Sequence, residues 1–111
     1  MVPALLIIDV QNGVLDHSAA PELQAAKVDH LIIGGNSTQF CIDTTCRRAV
    51  SLGYEVSLLA DCHMTGDAGD LRFDQIIAHH NSTLNGFAAG QHRITVIESP
   101  GILASQVPLD K

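Results

Sequence analysis

Asp9 and Cys41 are the two residues whose types and positions are best suited to chemistry. Asp9 ends the apolar run Ala-Leu-Leu-Ile-Ile at 4–8, and a carboxylate beside a buried strand is costly unless it is paired or hydrogen-bonded. Acids in such surroundings are often found at active sites, where they accept and donate protons. The alternative role, capping of a nearby loop or helix, stays open.

Cys41 ends the segment Gly-Gly-Asn-Ser-Thr-Gln-Phe-Cys at 34–41. The glycines predict the end of a strand, and a helix should begin near Ser37 or Thr38, which puts Cys41 in its first turn. There the helix dipole and the backbone N–H groups favour a thiolate over a thiol, and the same groups can bind an oxyanion. Core packing is the alternative, because a lone Cys on the inner face of a helix usually packs.

The elements that position these residues follow from the apolar pattern. Continuous apolar runs predict buried strands at 4–10, 31–35, 54–60 and 93–97. Helices are predicted at 21–27, 38–52 and 69–84, with a polar loop at 61–67 and a loose tail at 99–111. The core face of the second helix should include Cys41, Thr45, Ala49 and Leu52, with Gly53 as its C-terminal cap.

Strands that alternate with helices predict an α/β fold. We expect one domain over residues 1–111, built as three α/β/α layers around a mostly parallel sheet of about four strands. Ligands of such sheets bind beyond the carboxyl ends of the strands. Three segments reach that edge, namely 9–13, 35–41 and 61–65.

Composition excludes several classes of function. The net charge is −6 with only six Lys and Arg residues and no basic run, so no nucleic-acid binding is expected. The longest apolar run, 4–8, is too short for a bilayer and lacks the basic start of a secretory signal. Three cysteines without a CxxC pattern argue against disulfides and structural zinc, so we expect a cytoplasmic protein that contacts no membrane.

The remaining histidines and cysteines predict no metal site. His79 and His80 are adjacent, and neighbours on a helix point about 100° apart, so they rarely bind one ion. His63 and Asp61 are expected in an exposed loop, although a continued strand would point them the same way. Packing is the expected role of the other two cysteines, Cys46 and Cys62.

Several segments together resemble the isochorismatase-like cysteine hydrolases. Ala-Leu-Leu-Ile-Ile-Asp-Val-Gln-Asn-Gly at 4–13 resembles the family's opening strand. Gly35, Thr38 and Cys41 match a Gly-x-x-Thr-x-x-Cys pattern that leads into the helix of the nucleophile. The segments 52–63 and 75–84 are similar to the next strand and the following helix. The resemblance runs through nearly all of the chain, in order.

The resemblance implies a shortened isochorismatase-like fold and an Asp–Lys–Cys mechanism that uses no cofactor. In that mechanism Asp9 takes the thiol proton and Cys41 attacks a small amide or a related C–N substrate. The backbone N–H groups of Ser37 and Cys41 form the oxyanion hole, and a cis peptide is implied at Asn36-Ser37. The residues expected to line the pocket are Gln11, Asn36, Thr38 and Phe40.

The sequence departs from the family between Gly13 and Val28, where relatives carry several tens of further residues. That stretch holds the family's catalytic lysine and the metal ligands of its nicotinamidase branch. The only lysines are Lys27 and Lys111, and neither lies where the catalytic lysine belongs. We therefore expect weak hydrolase activity, and a homodimer or higher homo-oligomer that covers the exposed sheet.

Two alternatives to a hydrolase remain. The chain fits equally a catalytically inactive family member that serves as a binding or oligomer-assembly module, because a fold does not guarantee activity. A nucleotide- or flavin-binding domain ranks last, because the sequence has neither a GxGxxG pattern after its first strand nor a P-loop.

Overall fold

The structure is a computed structural model that describes residues 3–8 and 27–101 of the chain. Within these residues one sheet has the order β1-β2-β3-β5-β4. Its strands are β1 (Pro3–Ile8), β2 (His30–Asn36), β3 (Glu55–Met64), β4 (Ala88–Ala89) and β5 (His92–Ile97). All neighbouring strands are parallel except the two-residue β4, which pairs antiparallel with β5. The mostly parallel sheet is therefore confirmed.

The helical elements pack on one face of this sheet. A turn of π-helix, Thr38–Ile42, leads into α1 (Asp43–Ser51), and α2 (Phe73–Leu84) follows β3. Side chains from both helices join one buried cluster with alternate residues of the strands, namely Leu31, Ile33, Val56, Leu58, Cys46, Ala49, Val50 and Leu84. The α/β class is confirmed, and the helical layer predicted for the opposite face falls on residues outside the described part.

The opposite face of the sheet carries its own buried side chains. Ile32 and Leu59 are buried there with Ile97 packed against them. Both faces of the central strands are thus apolar, as expected of a parallel sheet whose strands read as continuous Val, Ile and Leu runs. Among the described residues, no helix is long and apolar enough to cross a membrane.

Several predicted boundaries are wrong. β3 continues to Met64, so the first half of the predicted loop 61–67 is strand. The last helix begins at Phe73 rather than at residue 69, and residues 99–101 are helical rather than a loose tail. Leu52 lies past the end of α1 with 44% of its surface exposed. The predicted helix 21–27 lies outside the described residues except for Lys27, which is in a turn.

Candidate active site

Cys41 lies in the π-helical turn that follows the carboxyl end of β2. The turn begins after Ser37, whose carbonyl oxygen accepts the N–H groups of Phe40 and Ile42, both at 3.1 Å. Cys41 is 6% exposed. The peptide bond between Asn36 and Ser37 is cis, as the resemblance implies. The predicted strand, turn and helix around this cysteine are confirmed.

The end of β1 lies beside the start of this turn. Ile8 is the register partner of Gly35, so β1 ends next to the glycines that precede Cys41. The next residue in sequence, Asp9, and the predicted pocket residue Gln11 both lie outside the described residues. Their roles stay predictions.

Gly34 and Gly35 allow β3 to approach the same edge closely. Ile33 pairs with Leu58 but Gly35 pairs with His63, so β3 carries extra residues at this point. A Cβ atom on Gly34 would lie 2.9 Å from the carbonyl oxygen of Cys62, and Gly35 has a φ of 122° that favours glycine. Bulges of this kind redirect side chains, often next to active sites.

The bulge orients His63 so that it joins a chain of hydrogen bonds behind the π-helical turn that carries Cys41. His63 is 2% exposed, and its Nδ1 lies 2.8 Å from the hydroxyl of Thr38. Its Nε2 lies 2.7 Å from Oδ1 of Asn81, and Nδ2 of Asn81 donates to the carbonyl oxygen of Ala60 at 3.2 Å. The chain connects the Cys41 turn, β3 and α2. The expectation of an exposed His63 in a loop is therefore wrong.

These partners define which ring nitrogen carries the proton in neutral His63. Because the amide nitrogen of Asn81 donates to Ala60, its Oδ1 accepts a proton from Nε2 of His63. In the neutral imidazole Nδ1 then accepts the hydroxyl proton of Thr38. Burial is the main cause that lowers the pKa of His63, with His80 lowering it further and the Asn81 hydrogen bond raising it. Burial thus favours the neutral form, in which Nε2 donates to Asn81 and Nδ1 accepts from Thr38.

Asp61, two residues before His63, has a different role. Its carboxylate accepts the backbone N–H of Ser99 at 2.9 Å and the Ser99 hydroxyl at 2.7 Å, so it holds the start of the helical residues 99–101. These hydrogen bonds lower the pKa of the Asp61 carboxyl. Asp61 and His63 therefore do not form a joint site, and no group of three His, Cys, Asp or Glu residues in the described ranges is placed to hold a metal ion.

The other predicted side chains surround the turn in different ways. Thr38 is fully buried, whereas Phe40 is 64% exposed. Gln39, which the sequence did not single out, accepts the hydroxyl proton of Thr65, just past the end of β3, on its Oε1 at 2.6 Å. It also lines a cavity of about 300 Å³ together with Leu71, Gln75, Ile76, His79 and His80.

The two remaining cysteines differ from Cys41. Cys46 is fully buried in α1, and burial raises the pKa of its thiol strongly, which agrees with the packing role expected of it. Cys62 is exposed and lies within β3 rather than in a loop. Cys41 is thus the cysteine that lies in the turn at the carboxyl edge of the sheet.

The roles of His63 and Asn81 were not predicted from the sequence. The signal was present in Asp-Cys-His at 61–63, since a strand extended past Ala60 would have carried His63 to the sheet edge. The bulge that places His63 against Thr38 has no recognisable sequence signature. Asn81 follows His79 and His80, which were considered as metal ligands. Nδ1 of His80 instead contacts the backbone carbonyl of Ile76 at 2.9 Å.

Comparisons with known proteins identify the family that shares this α/β fold. A family profile described as the Isochorismatase domain matches residues 19–80. A crystal structure titled as an isochorismatase family protein is 33% identical, with a TM-score of 0.65 over 78% of this chain and 49% of that one. The chain belongs to the isochorismatase family.

Two further solved structures share the fold. A cysteine hydrolase from Pseudomonas syringae pv. phaseolicola 1448A has a TM-score of 0.71 at 21% identity, over 84% of this chain and 44% of that chain. An isochorismatase hydrolase from Oleispira antarctica has a TM-score of 0.70 at 23% identity, over 89% and 50%. Comparison with curated proteins finds no match. The chain spans about half the length of these solved relatives.

Proposed function

We propose that the chain is a cysteine hydrolase that cleaves a small amide or a related C–N substrate with Cys41 as nucleophile. The observation that carries the proposal is the position of Cys41 in the helical turn directly after β2, beside the carboxyl end of β1. Membership of the isochorismatase family supports the same chemistry. Substrates of parallel α/β sheets bind at this edge.

In the proposed reaction the thiol proton of Cys41 passes to the carboxylate of Asp9, and Sγ attacks the carbonyl carbon of the substrate. The backbone N–H groups of Ser37 and Cys41 stabilise the oxyanion that forms. The proton returns from Asp9 to the leaving nitrogen as the C–N bond breaks and a thioester forms. Water then attacks the thioester, which releases the carboxylic acid and restores the thiol of Cys41.

The lysine of the family's triad has no counterpart in this proposal. Lys27 precedes β2 in an exposed turn at the amino end of the strand, whereas Cys41 follows the carboxyl end. A neighbouring cation is one of the main ways to stabilise a thiolate. We therefore propose slow turnover, in which the helical turn and Asp9 carry the activation of Cys41.

The test is ammonia release from a panel of small primary amides by the wild-type chain, Cys41→Ala and Cys62→Ala. We expect turnover in the wild type and in Cys62→Ala, and none in Cys41→Ala. Intact-mass detection of an acyl adduct that disappears in Cys41→Ala identifies the thioester. Turnover that survives in Cys41→Ala contradicts the proposal.

A second candidate function, a catalytically inactive module for binding or self-assembly, is favoured by the exposed apolar side chains near the same edge. Phe40, Met64, Leu71 and Phe73 are 64%, 55%, 55% and 44% exposed. Such groups often mark interaction sites, and we propose a homodimer as the form that covers them. Light scattering at micromolar concentration tests this, and a monomeric mass contradicts it. An intact fold without turnover or adduct assigns the chain to this second function.

A further inference from the structure

We propose that His63 is a positioning residue that holds the Cys41 turn through the hydroxyl of Thr38. The inference rests on the proposed function, because it concerns how the nucleophile of that reaction is kept in place. His63 acts through Thr38 and contacts no reacting atom. Nothing in the Asp–Lys–Cys scheme assigns this histidine a role.

Both partners of this hydrogen bond are buried. Thr38 is fully buried, and His63 is 2% exposed. Water does not replace a hydrogen bond lost between such groups, so each partner requires the other. The Thr38 hydroxyl and the imidazole lie 2.8 Å apart, which is the usual separation for a well-formed hydrogen bond.

The hydrogen bonds of His63 and Asn81 connect three elements of the fold. Thr38 lies three residues before Cys41 in the same turn, while Asn81 lies in α2 and Ala60 in β3. A displacement of the turn must therefore break a buried hydrogen bond or move another element with it. Placement of a nucleophile within a fraction of an ångström strongly affects its rate, and supporting hydrogen bonds supply that precision.

The hydrogen bonds of Asn81 also set the direction of the hydrogen bond between Thr38 and His63. Asn81 fixes the proton on Nε2 of His63 because its own amide donates to Ala60. Nδ1 is then an acceptor, and the Thr38 hydroxyl is held in a single rotamer with its proton toward the imidazole. The fixed hydroxyl orients the backbone of the turn that carries Cys41.

The test compares Thr38→Val, which keeps the shape and loses the hydroxyl, with Thr38→Ser, which keeps the hydroxyl. The readout is the rate of Cys41 alkylation by iodoacetamide, with Cys62 as the internal reference and peptide mass spectrometry to separate them. We expect Thr38→Val to lower the Cys41 rate roughly tenfold, as for the loss of one buried hydrogen bond. Thr38→Ser should recover most of that loss, with the Cys62 rate unchanged in both.

A second measurement on the wild-type chain does not depend on how these variants fold. Long-range ¹H–¹⁵N spectra of the imidazoles report which nitrogen of His63 carries the proton, and we expect the Nε2–H form. An Nδ1–H form, or equal Cys41 rates in the two Thr38 variants, overturns the positioning role.

The outcomes separate this inference from the proposed function. Amide turnover in the wild type together with equal Cys41 rates in both Thr38 variants overturns the positioning role alone. If the Cys41 rate is low in Thr38→Val and restored in Thr38→Ser but no amide is turned over, the hydrolase function is overturned and the positioning role is supported.

Discussion

Two buried histidines lie at opposite ends of the sheet and differ in how well they are hydrogen-bonded. His63, at the carboxyl edge, has a partner on each ring nitrogen. His30, the first residue of β2, has Nε2 at 2.8 Å from the Ser57 hydroxyl, while its buried Nδ1 has no hydrogen-bond partner among the residues that the structure describes. Both are at most 3% exposed, so the difference lies in the surroundings and not in burial.

The difference shows at which end of the sheet hydrogen bonds hold neighbouring elements in one arrangement. The bonds of His63 connect the Cys41 turn, β3 and α2, whereas the bond of His30 joins two neighbouring strands that the sheet already holds together. A fully satisfied buried network specifies one arrangement of its parts, and a half-satisfied one does so less well. The carboxyl edge, where Cys41 lies, is the more sharply defined end.

Replacement of His63 by leucine should have the largest effect on stability. His63→Leu leaves the buried Thr38 hydroxyl and the half-buried Oδ1 of Asn81 without partners, which should cost about 3 kcal/mol of unfolding free energy. Urea unfolding followed by circular dichroism measures this loss. His30→Leu is the matched control, expected to lose about 1 kcal/mol because, within the described part of the chain, only the Ser57 hydroxyl loses its partner. Equal losses would remove the contrast between the two ends.

Gly34→Ala tests the close approach that brings His63 to the turn. The added methyl would lie 2.9 Å from the Cys62 carbonyl oxygen, and relief of this overlap should cost about 2 kcal/mol in stability. Gly66→Ala is the control, since no atom of the described residues lies within 4 Å of its added Cβ, and should change stability by less than about 0.5 kcal/mol. A thermal melt in which both variants match the wild type would contradict the account of the bulge.

Acid should weaken the fold through both histidines. Burial is the largest cause that lowers the pKa of each below the ordinary 6.5, and Glu55 and Asp29 partly oppose it at His30. The unfolded chain therefore binds protons first, so this stabilisation is complete above pH 6.5 and is lost as the pH falls through the lowered values. Urea midpoints between pH 8 and pH 5 measure the loss, and His63→Leu should show a shallower decline. An unchanged slope in that variant would exclude His63 as a contributor.

The double variant His30→Leu/Ser57→Ala should have the smallest effect. It removes both members of the pair at the amino end, together with the Nδ1 of His30 that no described residue satisfies, so the change should stay below about 1 kcal/mol. Urea unfolding beside the single variant His30→Leu measures it. A loss as large as that of His63→Leu would mean that the two ends are equally important for stability.

The sequence predicts the parts of the molecule that follow from local pattern. The continuous apolar runs give the buried strands, and Gly34-Gly35 before Ser37 gives the turn that carries Cys41. The extension of β3 through Asp61 and His63 could not be predicted, because a run of polar residues has the sequence pattern of a loop. The pairing of Thr38 with His63 could not be predicted either, because tertiary contact across a bulge decides it. Leu52 was misassigned to the core because the helix ends one residue before it.

The central claim, that Cys41 is an activated nucleophile, is tested most directly by the order in which the three cysteines react. Cys41 is 6% exposed, Cys46 is fully buried and Cys62 is exposed, so access alone makes Cys62 react first. We predict that iodoacetamide at pH 7 modifies Cys41 faster than Cys62, with Cys46 slowest, and that Asp9→Asn changes the Cys41 rate alone. Reaction in the order of exposure, with Cys62 first and no effect of Asp9→Asn, would contradict the account.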